Sequence, residues 1–183
     1  MKFSWKIFFI TFLIIITSFG VGGFLLINTV FTNTLNNRID SAKKNNNYIT
    51  TALSVYADNN KPTYGNWEYL RTSAIGFAKQ IAGNSDSKSK IGSINELSFS
   101  AEDEFAHGMS VNSRKSRIVT ENKKYYIQTI SKIQLVTASC YIETVDDITS
   151  VYSDRDMYCT IYQFILIAVS YTHLRAHETE LHL

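Results

Sequence analysis

Residues 117–145 read RIVTENKKYYIQTISKIQLVTASCYIETV, and this stretch decides the fold. Isoleucine, valine, threonine and tyrosine dominate it, the residues that suit a pleated, half-buried surface. Arg117 to Thr120, Tyr125 to Ile133 and Ser139 to Val145 are expected as strands, with Ser93 to Ser100 before them. Glu121-Asn122-Lys123 reads as one hairpin turn. Gln134 to Ala138 reads as a second, although it holds no Gly, Asn or Asp. Strands joined by such turns predict an antiparallel sheet.

Upstream of the strands the period changes to that of helices. Leu35, Ala42, Ile49 and Tyr56 recur every seven residues, with Ile39 and Leu53 partly filling a second seam. Such a stripe faces either the sheet of its own domain or a second copy of the chain, and Asn45, Asn46 and Asn47 weaken it locally. Asn59-Asn60-Lys61-Pro62 is expected to end this helix, because proline cannot donate to the helical ladder. A further helix is expected from Asn66, its cap, to Gly83, with Glu68 in the first turn. Trp67, Leu70, Ala74, Phe77 and Ile81 would share its inner face. Asn84 to Lys90 reads as loop, and a closing helix is expected from about Thr149. Helices grouped before and after the strands point to an α+β class.

The chain has 183 residues, room for one modest domain plus accessories. Eighteen Lys and Arg against sixteen Asp and Glu leave a net charge of +2, which makes no electrostatic case for nucleic acid. Two cysteines, Cys140 and Cys159, cannot build a disulfide framework and match no zinc spacing. The apolar residues gather at the two ends of the chain.

Residues 7–27, IFFITFLIIITSFGVGGFLLI, carry no charge over 21 positions. A helix of that length covers roughly 30 Å, the hydrocarbon thickness of a bilayer. Lys2 and Lys6 precede it and no Lys or Arg follows until Arg38. That bias places residues 1–6 in the cytoplasm and the following chain outside. A cleaved signal peptide is the rival; its apolar region is usually ~7–15 residues and ends at an A-x-A-like site, which is missing here. Gly20, Gly22 and Gly23 are the small residues of the segment, able to admit close helix packing without forming a GxxxG motif. An uncleaved anchor is expected. Residues 28–156, with 15 basic and 14 acidic side chains, then form a balanced extracytoplasmic module.

Residues 157–169, MYCTIYQFILIAV, are again uncharged, but 13 residues fall short of the about 20 a span needs. Completing the span with the next segment would bury Arg175, Glu178 and Glu180. Each such charge costs on the order of 2.5–3.5 kcal/mol at a membrane helix centre. The second membrane helix is therefore expected to be truncated. Val169 to Thr179, VSYTHLRAHET, resembles the translation of a transposon-end sequencing adapter over eleven consecutive residues. That resemblance implies that residues 170–183 are not native.

The same tail holds His173, His177 and His182, three of the four histidines. The true metalloprotease motif needs H-E-x-x-H, whereas His177-Glu178-Thr179-Glu180-Leu181 ends in Leu. No metal site is assigned. His107 follows Glu102, Asp103 and Glu104 without calcium-loop spacing and reads as an exposed loop residue. Arg114, Lys115 and Arg117 could meet an anionic ligand or lipid headgroups, or form a solvated charge run, the commoner case. Cys140 reads as a small buried hydrophobe. With no Gly-rich phosphate loop, no G-x-S-x-G and no nucleophile–base pair, no catalytic residue and no cofactor are assigned to this chain.

Residues 125–135 (YYIQTISKIQL) and 140–169 (CYIETVDDITSVYSDRDMYCTIYQFILIAV) together resemble the end of the sensor region of bacterial sensor histidine kinases. In that family two strands lead into a YD-I-T-x-I/V-Y-x-x-R-D stretch that opens the helix into the second span. Asp147, Ile148, Thr149, Val151, Tyr152, Arg155 and Asp156 match it. The resemblance implies a membrane-anchored PAS-like or Cache-like extracytoplasmic sensor domain in a homodimer at the cell membrane. It implies that a cytoplasmic kinase using ATP and Mg, with a response-regulator partner, belongs to a longer parent. Asp147, Thr149, Tyr152, Arg155 and Asp156 are the expected signal-coupling residues, and the extracytoplasmic ligand is unassigned. A chemotaxis-type receptor, or a stand-alone anchored binding protein, is the alternative.

Overall fold

Helix α1 runs without a break over Phe3–Asn59. In its apolar half, Thr17, Thr29 and Thr32 turn their hydroxyls back onto the carbonyls of Leu13, Leu25 and Asn28, at 2.7 to 2.8 Å. Those polar groups are thereby satisfied inside the helix and present methyl surface outward. Asn59 is its last described residue, and the rest of the helix end expected at Asn59-Asn60-Lys61-Pro62 lies outside the described residues. The computed structural model describes residues 3–59, 72–73, 76, 87–99, 105–135 and 138–180. Of the helix expected over Asn66 to Gly83, Thr72, Ser73 and Gly76 are helical; the rest lies outside the described residues.

Four strands follow: β1 (Lys88–Gly92), β2 (Ser113–Glu121), β3 (Lys124–Leu135) and β4 (Ala138–Asp147). They pair antiparallel in the order β1-β4-β3-β2. Helix α2 (Thr149–Glu180) closes the chain. The architecture is α+β, with a long apolar N-terminal helix, a four-stranded antiparallel sheet and a C-terminal helix.

Register is pinned at the β2–β3 hairpin. Glu121 pairs with Lys124, and the two residues between them, Asn122 (φ 50°) and Lys123 (φ 62°), both sit in the left-handed region. That is the type I′ geometry whose twist suits a two-residue hairpin, and asparagine tolerates it. The β3–β4 turn is tighter than expected. Leu135 pairs with Ala138, so Gln134, Leu135 and Ala138 belong to strands. The long ladder from Tyr126↔Asp147 outward fixes the register there without special turn residues.

One expected strand is displaced. Ser93 to Ser100 is not a strand where it is described: Ile94–Glu96 forms a 3-10 turn. The Ser93 amide donates to Glu96 Oε2 at 3.0 Å, and the Glu96 amide donates to the Ser93 carbonyl at 3.1 Å. This local closure takes the backbone out of the ladder. Pairing with β4 falls instead on Lys88 to Gly92, of which Lys88 to Lys90 belong to the expected loop. Its lysines suit an edge strand, which needs only one buried face.

The chain divides into two compact units, Asn36–Thr149 and Met1–Leu35 with Ser150–Leu183. In the first, Ile49 and Leu53 of α1 pack on Ile91, Ile133, Cys140 and Ile142, with Tyr56 at the margin. The seven-residue stripe is thus used against its own sheet. Each such aliphatic side chain contributes about 1.5–3 kcal/mol when fully buried. Cys140 behaves as expected of a buried hydrophobe: it is a free thiol, and burial pushes its pKa up to about 11. On the opposite face Leu97, Ala106, Met109 and Ile130 form a second cluster, with Ile94, Phe105 and Tyr141 packed against it.

Candidate functional site

Both faces of the sheet carry a buried polar group at their centre. On the face toward α1, β2, β3 and β4 present Ser116, Thr129 and Thr144 in register, beside Arg114 and Ser131. Asn46 of α1 is completely buried over this row. Its Oδ1 accepts from Ser131 Oγ at 2.5 Å and from Arg114 Nε at 3.1 Å. Its Nδ2 donates toward the Thr129 carbonyl (3.2 Å), the Ile142 carbonyl (3.3 Å) and Thr144 Oγ1 (3.4 Å). Arg114 also donates to Asn47 Oδ1 at 2.7 Å. The asparagines expected to weaken the stripe instead supply its polar anchor. An asparagine among apolar heptad positions is the one sequence signal for this, since such a residue commonly sets register.

On the other face, Glu143 is fully buried. Gln128 Nε2 donates to its Oε1 at 2.6 Å and the Ser98 amide to its Oε2 at 2.8 Å. Gln128 Oε1 in turn accepts from Arg117 Nε at 2.7 Å. Arg117 reaches the Phe99 carbonyl at 3.0 Å and lies 4.4 Å over the Phe105 ring. This chain of charged and amide groups ties Ser98, Phe99 and Phe105 to β2, β3 and β4. It can recognise a polar group that replaces the Ser98 amide on the carboxylate. Sequence reasoning missed Glu143 and Gln128, because a polar residue alternating with apolar ones in a strand reads as solvent-facing.

Of the basic run, Arg114 and Arg117 fall on opposite faces, as alternation in β2 requires. Lys115 shares the face of Arg117, donating to the Phe105 carbonyl at 3.2 Å. The three do not converge on one anion. His107 is exposed in the turn before Met109. Among the described residues no three His, Cys, Asp or Glu side chains gather to hold a metal.

The expected coupling residues divide between the two units. β4 ends at Asp147 and α2 begins at Thr149, with Ile148 alone between them. The Thr149 amide donates to Asp147 Oδ1 at 2.9 Å, and the Tyr125 amide of β3 donates to Thr149 Oγ1 at 3.0 Å. The Ile148 amide donates to the Tyr125 carbonyl at 2.9 Å. The hydrogen bonds from Thr149 hold the Asp147 carboxyl below its ordinary pKa. Its neighbour behaves in the opposite way. Burial pushes the Asp146 carboxyl up, against the opposing charge of Arg38, and its Oδ2 has no hydrogen-bond partner among the described residues.

In the other unit, the Phe31 and Tyr152 rings meet edge to face at 5.2 Å between centroids. The Arg155 guanidinium lies 4.9 Å over Phe31 and donates to Asp156 Oδ1 through Nε (3.0 Å) and one terminal nitrogen (2.8 Å). Farther along, the Tyr162 hydroxyl donates to the Phe19 carbonyl, and a Cβ on Gly23 would run into the Tyr162 ring. Gly23 therefore admits the close packing that the small residues foreshadow, whereas Gly20 and Gly22 face open space. A cleft of about 130 Å³ lies between residues 27–34 and 151–158.

Many large apolar side chains of this unit are exposed. Phe9, Leu13, Phe24 and Leu26 on α1, and Phe164 and Ile167 on α2, are exposed. An apolar stretch of α1 within Phe9–Tyr56 has a mean hydropathy of 2.4 and is unburied. By length and composition α1 can cross a membrane or serve as a signal sequence. No protein-family model, curated protein or solved structure matches the chain.

Proposed function

We propose that this chain is the signal-sensing and transmembrane portion of a bacterial sensor histidine kinase. In this reading α1 anchors it in the cell membrane with its N-terminus in the cytoplasm, and the sheet unit is a PAS-like or Cache-like domain outside. A ligand or physical stimulus shifts the sheet unit between two arrangements. Helix α2 carries that shift inward to a kinase that uses ATP and Mg and phosphorylates a response regulator, both in the longer parent.

The observation that carries the reading is the short connection between β4 and α2. One residue, Ile148, separates β4 from α2, and Thr149 is bonded to both β4 and β3. A change in the strands therefore reaches the helix without a loop to absorb it. The outward apolar side chains of the helices fit a lipid surrounding, since an unburied stripe of this size is otherwise a liability in water. On the sheet, the Glu143–Gln128–Arg117 chain supports a receptor role, because a polar ligand that opens it must rearrange three strands.

The test is the source DNA across the codons for residues 158–183. An open frame continuing past Ala168 with apolar codons and then a phosphoacceptor-histidine box is the expected result, and it removes the adapter-like tail. Long downstream heptads without that box would make the parent a chemotaxis-type receptor. A stop codon after Leu183 would overturn the kinase reading and leave an anchored binding protein.

A further inference from the structure

On α1 the run of exposed large apolar side chains reaches Val30, and on α2 it begins at Met157. The two helices thus agree on where apolar surface gives way to polar. The cleft between residues 27–34 and 151–158 lies at that boundary. Its volume of about 130 Å³ is far above the ~10–15 Å³ that one water needs. It is lined by apolar Val30 and Phe31 together with Thr34, Asp154, Arg155 and Tyr158.

We propose that this cleft binds the headgroup of a zwitterionic phospholipid with a primary ammonium, its phosphate on Arg155 and its ammonium on Asp154. The proposal rests on the reading that these helices cross a membrane. Three features select the ligand. First, the Arg155 plane is fixed over Phe31 and by its two bonds to Asp156. A guanidinium carries five N–H donors in a rigid fork, so it can hold a phosphate oxygen while tied to a carboxylate. Second, Asp154 and Asp156 set two carboxylates against one guanidinium, a balance that disfavours a purely anionic headgroup. A zwitterion satisfies both signs. Third, Asp154 can accept N–H bonds from a primary ammonium, which a choline headgroup cannot donate.

Such a lipid would bridge α1 and α2 beside Phe31, Tyr152 and Arg155. It would tie the two helices together through a bound small molecule as well as through the Phe31–Tyr152 contact.

The experiment uses the full chain in nanodiscs of phosphatidylcholine, alone or mixed with phosphatidylethanolamine or phosphatidylglycerol. Lipids retained after release into detergent are counted by native mass spectrometry. Wild type should retain phosphatidylethanolamine about fivefold over the other two, the preference a single partly dehydrated charge contact gives. Asp154→Asn should bring phosphatidylethanolamine down to the phosphatidylcholine level, and Arg155→Gln should lower retention of all three. Equal retention of the three lipids by wild type, or an Asp154→Asn chain that keeps the preference, overturns the proposal. Flotation with vesicles separates the two readings. A chain that floats but retains the three lipids equally sinks the headgroup site alone, whereas one that floats with no vesicle sinks the membrane reading as well.

Discussion

The two faces of the sheet solve one problem with different materials. Each buries a polar group at its centre, Asn46 on one side and Glu143 on the other. Over the first lies a regular helix, whose side chains return every seven residues to the same strands. Over the second lie residues 93–99 and 105–112, held by a 3-10 turn, a backbone amide on the carboxylate and an arginine over a ring. A helix cover resists as a unit. An irregular cover can open locally, because few of its backbone groups are tied into a ladder. The lesson is that the polar centre under the loop is suited to exchange, and the one under the helix to fixing position.

That contrast can be broken most directly at the carboxylate. Glu143→Ala leaves the Ser98 amide and Gln128 without their shared acceptor, and should cost about 3 kcal/mol. Urea unfolding of the reconstituted chain would measure it, and amide exchange should rise first in residues 93–99. Asn46→Ala strips acceptors from Arg114 and Ser131 and should cost about 2 kcal/mol. Here protection should fall along β3 and β4 together with α1, which separates an anchoring role from a cover role. At the strand–helix junction, Thr149→Val removes the acceptor for the Tyr125 amide and should cost about 1 kcal/mol. Protection of the Tyr125 amide would report it.

The smallest effect is a pH contrast between adjacent carboxyls. Asp146 is raised by burial, so its contribution to stability is fully present below the unfolded value, roughly 3.9. It is lost as pH rises through the higher folded value. Asp147 is lowered by its bonds to Thr149, so its contribution is present above the unfolded value and lost as pH falls through the folded one. Asp146→Asn should therefore stabilise the chain at neutral pH and lose that advantage in acid. Asp147→Asn should do the reverse. Denaturation midpoints of the two variants across pH 3 to 7 would show curves diverging from wild type in opposite senses.

Legibility followed regularity. The stripe members Ala42, Ile49 and Tyr56 and the hairpin at Asn122-Lys123 were readable because period and turn chemistry are local properties. Strand β1 was not, since KSKIG has one apolar residue and gains its place only from pairing with β4. The strand expected at Ser93 failed for a local reason, the Ser93–Glu96 closure. Glu143 was hidden because a sheet covered on both faces buries the polar half of an alternating pattern too. The candidate site is therefore mostly illegible in sequence: Asp147 and Thr149 carry a motif, whereas Gln128, Glu143 and Asn46 acquire meaning from partners far along the chain.

The use of the Ala42–Ile49 stripe against the sheet carries a consequence for symmetry. A two-fold pairing of chains needs a patch that is complementary to itself. The buried stripe is not on offer for that purpose. On the same helix Tyr48 and Val55 are each more than half exposed, at 57% and 53%, and stand seven residues apart. Any isologous contact along this stretch of α1 would have to centre on that second, shorter line, which places the axis on the side of the helix turned away from the sheet.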